Sequence, residues 1–194
     1  MIRKVKDEIR ILGIDDGPFK KTSKEVLVVG TVFRGGHWID GVLSARIHKD
    51  GKDVTDKIVE MVQKTGHRNQ LRVILLNGVT FGGFNIVDMD LLNSRTRMPV
   101  IAVVRKNPDF DSIKAALQIF PDAIDKWDLI QRAGKVKLLK VGKDRMYFQH
   151  AGIEEAQAKE ILKLVSIHAS YPEPLRVAHM IAAGVVLGKT RGGK

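Results

Sequence analysis

Leu12-Gly13-Ile14-Asp15-Asp16-Gly17-Pro18-Phe19 closes an apolar strand that arrives through Ile9 and Ile11, and it ends in two carboxylates and a forced turn. Side chains alternate along a strand, so Ile9, Ile11, Gly13 and Asp15 share one face while Arg10, Leu12, Ile14 and Asp16 share the other. Only one carboxylate of the pair therefore looks readily into a given site. Asp-Asp-Gly-Pro supports two readings. It is good turn chemistry, because Asp bonds its own backbone, Gly tolerates positive φ and Pro fixes it. It also suits a metal ligand or general base held on the rigid tip of a first, central strand.

The elements around this strand decide the architecture. Residues 25–33 read as a second strand rich in β-branched residues, and Arg34-Gly35-Gly36-His37 joins it tightly to a third at 38–47. Three sequential strands without room for a crossover form an antiparallel meander. The period then changes to about 3.6, with Val54, Ile58, Met61 and Val62 on one helical face, Asp53 or Thr55 as cap and Gly66 as the expected C-terminal stop. Leu71-Arg72-Val73-Ile74-Leu75-Leu76 and Pro99-Val100-Ile101-Ala102-Val103-Val104 are short apolar runs of the kind buried on both faces of a parallel sheet. Between them lies a helix expected over residues 85–93 with Asn85 as cap. A further helix starts at Pro108 and Asp109. Residues 121–150 read as an inserted helix and hairpin, and two helices follow, over 153–169 and from Pro172 to about residue 187.

Meander, helix, parallel strand, helix, parallel strand is the order of a ribonuclease H-like α/β domain, a mixed sheet flanked by helices. The expected organisation is one such domain over residues 1–187, followed by a basic, flexible tail at 188–194. In that topology the first strand is central and the strand after the first helix lies beside it. Asp15 and Asn77 then stand at neighbouring strand ends.

Composition narrows the chemistry. The 194 residues include no cysteine, which excludes disulfides, thiolate metal sites and a cysteine nucleophile and makes an intracellular protein the simplest account. No run approaches the roughly 18 apolar residues of a membrane span, and the first residues lack the apolar core of a signal peptide. A soluble, cytoplasmic protein is expected. Lys and Arg total 33 against 22 Asp and Glu, a net charge of +11 that favours a polyanionic partner through phosphate neutralisation and counterion release.

Phosphodiester hydrolysis with bound Mg²⁺ needs hard oxygen ligands converging from different elements. Asp15, the carbonyl oxygen of Asn77 and Asp88 are the candidates, against a structural role for each as turn, turn and helix N-terminal charge. Gly78, Gly82 and Gly83 either let backbone N–H groups approach a phosphate or an extruded base, or form an ordinary loop. Phe81 and Phe84 either stack on a base or pack in the core. Arg176 and His179 share a helix face, and Glu173 is either helix N-terminal charge or an outer metal ligand. Arg105, Lys106 and Arg176 are expected to line a groove that tracks a phosphate backbone.

Three blocks in order, Gly13 to Phe19, Asn77-Gly78-Val79-Thr80-Phe81-Gly82-Gly83-Phe84-Asn85 and Pro172-Glu173-Pro174-Leu175-Arg176-Val177-Ala178-His179, resemble the endonuclease dU family, across nearly the whole chain. That mainly archaeal family is similar to endonuclease V, a ribonuclease H-like, Mg²⁺-dependent enzyme that nicks DNA near deaminated bases. The resemblance implies a deoxyuridine-directed DNA repair endonuclease using Mg²⁺ or Mn²⁺. It places Asp15 at the first catalytic acid of endonuclease V, Asn77 where that enzyme has a second acid, and Arg105 at a phosphate-contacting lysine. Its middle acid and its strand-separating wedge have no counterpart in this chain. Asp16 and Asp88 are the nearest substitutes for the missing acids, His179 a group that orients water or contacts phosphate, and Thr80 lies in the matching glycine-rich block.

Three function classes therefore stand: an endonuclease acting on deaminated DNA; a nuclease fold without catalysis that binds nucleic acid or a protein, which Asn77 favours; and an enzyme for another polyanion, such as inosine-containing RNA or a free nucleotide.

Overall fold

The computed structural model describes residues 4–190. β1 (Arg10–Asp16), β2 (Glu25–Arg34) and β3 (Trp38–His48) form the antiparallel meander, and β4 (Leu71–Asn77) and β7 (Val100–Val104) run parallel to β1. With β8 (Lys137–Val141) and β9 (Asp144–Ala151), the main sheet has seven strands in the order β3-β2-β1-β4-β7-β9-β8, so β1 sits between β2 and β4 as the strand order requires. Expected and observed topology agree because each parallel step needs a helical crossover, and the apolar runs of β4 and β7 can be satisfied only with both faces covered.

The alternation of β1 separates two cores. Leu12 and Ile14 face α1 (Val54–Lys64) and α2 (Met89–Thr96) through Ile58, Val62 and Leu92. Ile9 and Ile11 face α5 (Glu155–Val165) and α6 (Glu173–Leu187) through Ile161, Leu162 and Leu175. α6 approaches β1 where Gly13 lies against Pro174, whose carbonyl accepts a 2.7 Å hydrogen bond from the buried Thr31 hydroxyl. A side chain at Gly13 would hold the helix off the strand.

Several local expectations are corrected. Asn85 does not start a helix: it belongs to a two-strand ladder, β5 (Thr80–Phe81) with β6 (Asn85–Ile86). Its fully buried amide caps a different helix, accepting from Val54 N at 3.1 Å and donating to His48 O and Asp53 Oδ1. α1 ends at Lys64 with an extended Thr65 as cap, so Gly66 is not a left-handed stop. The 121–150 segment holds α4 (Ala123–Arg132) and the hairpin β8 (Lys137–Val141) and β9 (Asp144–Ala151). The inserted hairpin is part of the main sheet. β9 pairs antiparallel with β7 and widens the main sheet, because β7 would otherwise expose an unpaired apolar edge.

α3 (Phe110–Leu117) and α4 pack over the glycine-rich loop. The ammonium of Lys126, 2 % exposed, donates to the carbonyls of Asp50, Gly51 and Phe84 at 3.0, 3.0 and 2.7 Å, which satisfies all three of its protons. Of the expected tail, residues 191–194 lie outside the described residues; before them Gly188 closes α6 in the left-handed region, with φ 70°.

Candidate active site

At the carboxyl end of β1 the two acids part company as strand alternation requires. Asp15, 1 % exposed, turns to the α6 side. Its Oδ1 accepts from Asn77 Nδ2 at 2.8 Å and from the Asp16 N–H at 2.9 Å, and its Oδ2 pairs with His179 Nδ1 at 2.9 Å. Asn77 stands at the end of neighbouring β4, so its meeting with Asp15 follows from the parallel register of the two strands. The Tyr171 hydroxyl donates to Asn77 Oδ1 and lies 3.1 Å from Val103 O. This bond fixes which way the amide faces: its oxygen is occupied by a donor, so its NH₂ points at the carboxylate.

The electrostatics of this chain are consistent with that order. The hydrogen bond from His179 Nδ1 to the Asp15 carboxylate raises the His179 pKa, favouring an imidazolium, while partial burial opposes the shift. The His179 side chain is 60 % exposed and Nδ1 is already engaged, so the remaining ring nitrogen is available at the surface. Burial, and then the charge of Asp15, push the Tyr171 phenol well above its ordinary range, so it acts as a neutral donor. Arg105 extends from the end of β7 and places its guanidinium 4.1 Å from the centre of the Tyr171 ring.

Asp16 points to the other face. Its Oδ2 accepts the Gly82 N–H at 2.7 Å and so ties the glycine-rich loop to β1. Burial, with a further contribution from Asp15, pushes its pKa up to about 6, although the Gly82 bond pulls it down. The loop demands glycine at its tip. Gly83 has φ 90°, and a Cβ there would lie 2.1 Å from Asp50 Oδ1, the oxygen that accepts the Phe84 N–H.

The sequence profile of endonuclease dU matches residues 7–186. The chain belongs to the endonuclease dU family. It is 54 % identical over 192 residues to a UPF0215 protein of Methanothermobacter thermautotrophicus, spanning 98 % of this chain and 94 % of the relative. Among solved structures it is similar to a protein of unknown function from Archaeoglobus fulgidus, with TM-score 0.83 and 34 % identity, covering 91 % of this chain and 98 % of the other. It is also similar to Ciona intestinalis endonuclease V in complex with a 24mer DNA containing an inosine followed by a ribo-adenosine. There the TM-score is 0.58 at 14 % identity, with 87 % and 82 % of the chains covered, and the likeness is one of fold. The fold is ribonuclease H-like, and family and fold together indicate a nuclease.

Within this family member, several expected site residues are placed elsewhere. Asp88 does not join Asp15 and Asn77. Its carboxylate caps α2, accepting from Leu91 N at 3.0 Å, and pairs with Arg132 of α4 at 3.2 Å. Among the described residues no group of three or more His, Asp or Glu side chains is arranged to hold a metal ion. Phe81 is 1 % exposed in the α1-side core and Phe84 packs edge-on against Phe120, so neither is presented to a base. The N–H of Gly78 bonds Val103 O and that of Gly82 bonds Asp16, so neither is free for a phosphate; Thr80 is half-buried in β5. Arg176 is held by Nε and Nη2 on Glu173 Oε2, whose partner oxygen Oε1 is buried without a hydrogen bond. Lys106 is exposed beyond β7. The residue that sequence reasoning missed is Tyr171. Its only local signal is that it precedes the Pro172-Glu173-Pro174 block, and its partner Asn77 lies 94 positions away.

The close approach at Gly13 carries an expected result. A Cβ there would fall 2.4 Å from Pro174 Cβ and 2.6 Å from its carbonyl carbon, neither of which is a flexible side-chain end. Gly13→Ala should cost about 1–3 kcal/mol of stability by overpacking and displace His179 from Asp15, since both contacts belong to α6. Urea unfolding gives the first quantity, and nicking activity compared with an equally destabilised variant elsewhere gives the second. Wild-type stability would contradict this packing of α6 on β1.

Proposed function

We propose that this chain is a metal-dependent endodeoxyribonuclease that nicks DNA at or next to deaminated bases, with deoxyuridine as its principal target. The observation that supports it most is the assembly at the carboxyl ends of β1 and β4, where buried Asp15 is oriented by Asn77 and itself orients the exposed His179. A buried, aligned carboxylate behind a surface imidazole is an arrangement for moving a proton, with the carboxylate fixing the tautomer and stabilising the cation. His179 holds its proton at Nδ1 against Asp15 and offers its other nitrogen to the phosphodiester or to water. Tyr171 keeps Asn77 from turning its carbonyl oxygen toward Asp15, which would repel the carboxylate.

The donor set suits a hard cation. Asp15 Oδ2 carries one bond, to His179, and keeps a lone pair for a cation, whereas Asp16 faces the glycine-rich loop. Mg²⁺ is commonly held by one or two carboxylates, with water and substrate phosphate completing its shell. Asp15 is the residue that would hold Mg²⁺, or Mn²⁺. When bound, such an ion activates water and stabilises charge developing on the phosphate. The choice of deaminated DNA rests on the family description and on the inosine-containing DNA bound by the endonuclease V of similar fold.

A second reading has its own observation. Asn77 presents an amide where a second acid would strengthen a metal site, which favours a fold that binds nucleic acid or a protein without cutting. The deciding experiment uses labelled duplexes carrying deoxyuridine, hypoxanthine or no lesion, each with Mg²⁺ or EDTA. Nicking of deoxyuridine duplex that EDTA abolishes is expected. Tight binding of all three duplexes with no nick under any metal would leave the binding protein standing. No helix among the described residues is long and apolar enough to cross a membrane.

A further inference from the structure

The net charge of +11 needs a place to act, and the Asp15 end accounts for little of it: Arg176 is committed to Glu173, and Arg105 lies on Tyr171. A concavity opens at the opposite end of the sheet, beside the amino ends of β1, β4 and β7, with a volume of about 850 Å³. Three separate segments supply its walls: residues 4–10, residues 68–72 before and at the start of β4, and residues 96–99 between α2 and β7. Lys4, Lys6, Arg68, Arg72 and Arg97 project from them, all exposed, and among the described residues none has a carboxylate partner. Arg10 also lines it but is paired with Asp40, and Glu8 is the one acid in the lining. Arg72 is already oriented, its Nη1 donating to the carbonyls of Asn69 and Leu71 at 2.8 Å each.

Five uncompensated cations drawn together from three distant segments repel one another, a cost that an anionic ligand removes. The trough is open, and its cations are spread around it on exposed side chains, with no buried polar group to read a small molecule. That distribution fits a chain of phosphates better than a single anion. We propose that this groove is a second nucleic-acid contact, gripping the phosphate backbone away from the reacting strand. β1 has seven residues, so the groove and Asp15 stand roughly 20 Å apart at strand rise. A polynucleotide held at both ends of the sheet is therefore tethered while its lesion is searched for at one of them. The choice of nucleic acid over another polyanion rests on the endonuclease reading; the presence of an anion site does not.

The test is the triple variant Lys6→Gln, Arg68→Gln and Arg97→Gln, whose side chains make no hydrogen bond or ion pair among the described residues and whose thermal unfolding is checked against wild type. Binding of a labelled duplex of about 30 base pairs is followed by anisotropy in EDTA across a salt series, with no cutting required. Each phosphate contact contributes a slope of about −0.9 in log K against log salt, so three lost contacts should flatten the slope by about 2.7 and weaken binding tenfold or more at low salt. The triple variant Lys6→Glu, Arg68→Glu and Arg97→Glu should weaken it further. Wild-type affinity and slope in the Gln variant would overturn the proposal. If polyglutamate binding were lost while DNA binding stayed intact, the groove would be a site for an acidic polypeptide and the nucleic-acid proposal would equally fall. Because binding is read without nicking, an inactive protein that shows the slope change contradicts the nuclease reading and leaves the groove in place.

Discussion

Asp15→Asn should leave the fold intact and reduce nicking of deoxyuridine-containing DNA by about 10²–10⁴-fold, the range that a positioned acid–base group contributes. The substituted amide is the same size, and its oxygen can still accept from Asn77 Nδ2 and the Asp16 N–H. Its NH₂ then meets His179 Nδ1, which must turn acceptor and lose the carboxylate that raises its pKa. The anionic oxygen proposed to hold the cation disappears in the same step. Asp16→Asn should cost less activity, because Asp16 faces the loop and its principal bond, from Gly82 N, survives in the amide. Single-turnover nicking, with duplex binding measured in parallel, separates a catalytic loss from a loss of affinity. Equal rates for wild type and Asp15→Asn, in preparations free of contaminating nuclease, would reduce Asp15 to turn chemistry and favour the binding-protein reading.

Asn77→Asp should be destabilising without metal and be rescued by it. The new carboxylate would stand at hydrogen-bond distance from Asp15 Oδ1, where an N–H now donates. Two acids so placed cannot both ionise cheaply, so they share a proton or push apart. The expected cost in EDTA is about 3 kcal/mol, by analogy with breaking a buried charged pair. For a chain of this size that is a fall in Tm of roughly 6–12 °C. A divalent cation that bridges the two acids removes the repulsion, so Mg²⁺ should raise the Tm of Asn77→Asp by several degrees more than that of wild type. Thermal unfolding with EDTA and with Mg²⁺ reads this without any assay of cutting. An unchanged Tm in EDTA would mean that Asn77 does not face Asp15 as the structure has it, and a drop that Mg²⁺ fails to repair would argue against a cation between them.

The meaning of Asn77 changes between sequence and structure. Along the chain it is an amide where an acid is expected, and so a mark against catalysis. In the fold it is a donor that holds Asp15, with its direction set by Tyr171. An acid at that position could not make that bond without a proton or a cation between the two oxygens. Asp88 changes in the opposite sense, from proposed ligand to helix cap and ion-pair partner of Arg132.

What the sequence by itself determined is whatever follows from local period and from the rules of strand connection. The meander, the doubly buried β4 and β7, the central place of β1, the opposite faces of Asp15 and Asp16 and the meeting of Asp15 with Asn77 all follow from alternation and from the need for crossovers between parallel strands. Only the tertiary structure decided which distant segments those elements bring together. The burial of Phe81, the capping of α1 by Asn85, the joining of β9 to β7, the bond from Tyr171 to Asn77 and the basic groove at the far end of the sheet belong to that second class. Each depends on partners that no local pattern links, because a side chain's hydrogen bonds and a groove's charge are set by neighbours in space, and periodicity along the chain specifies only neighbours within one element.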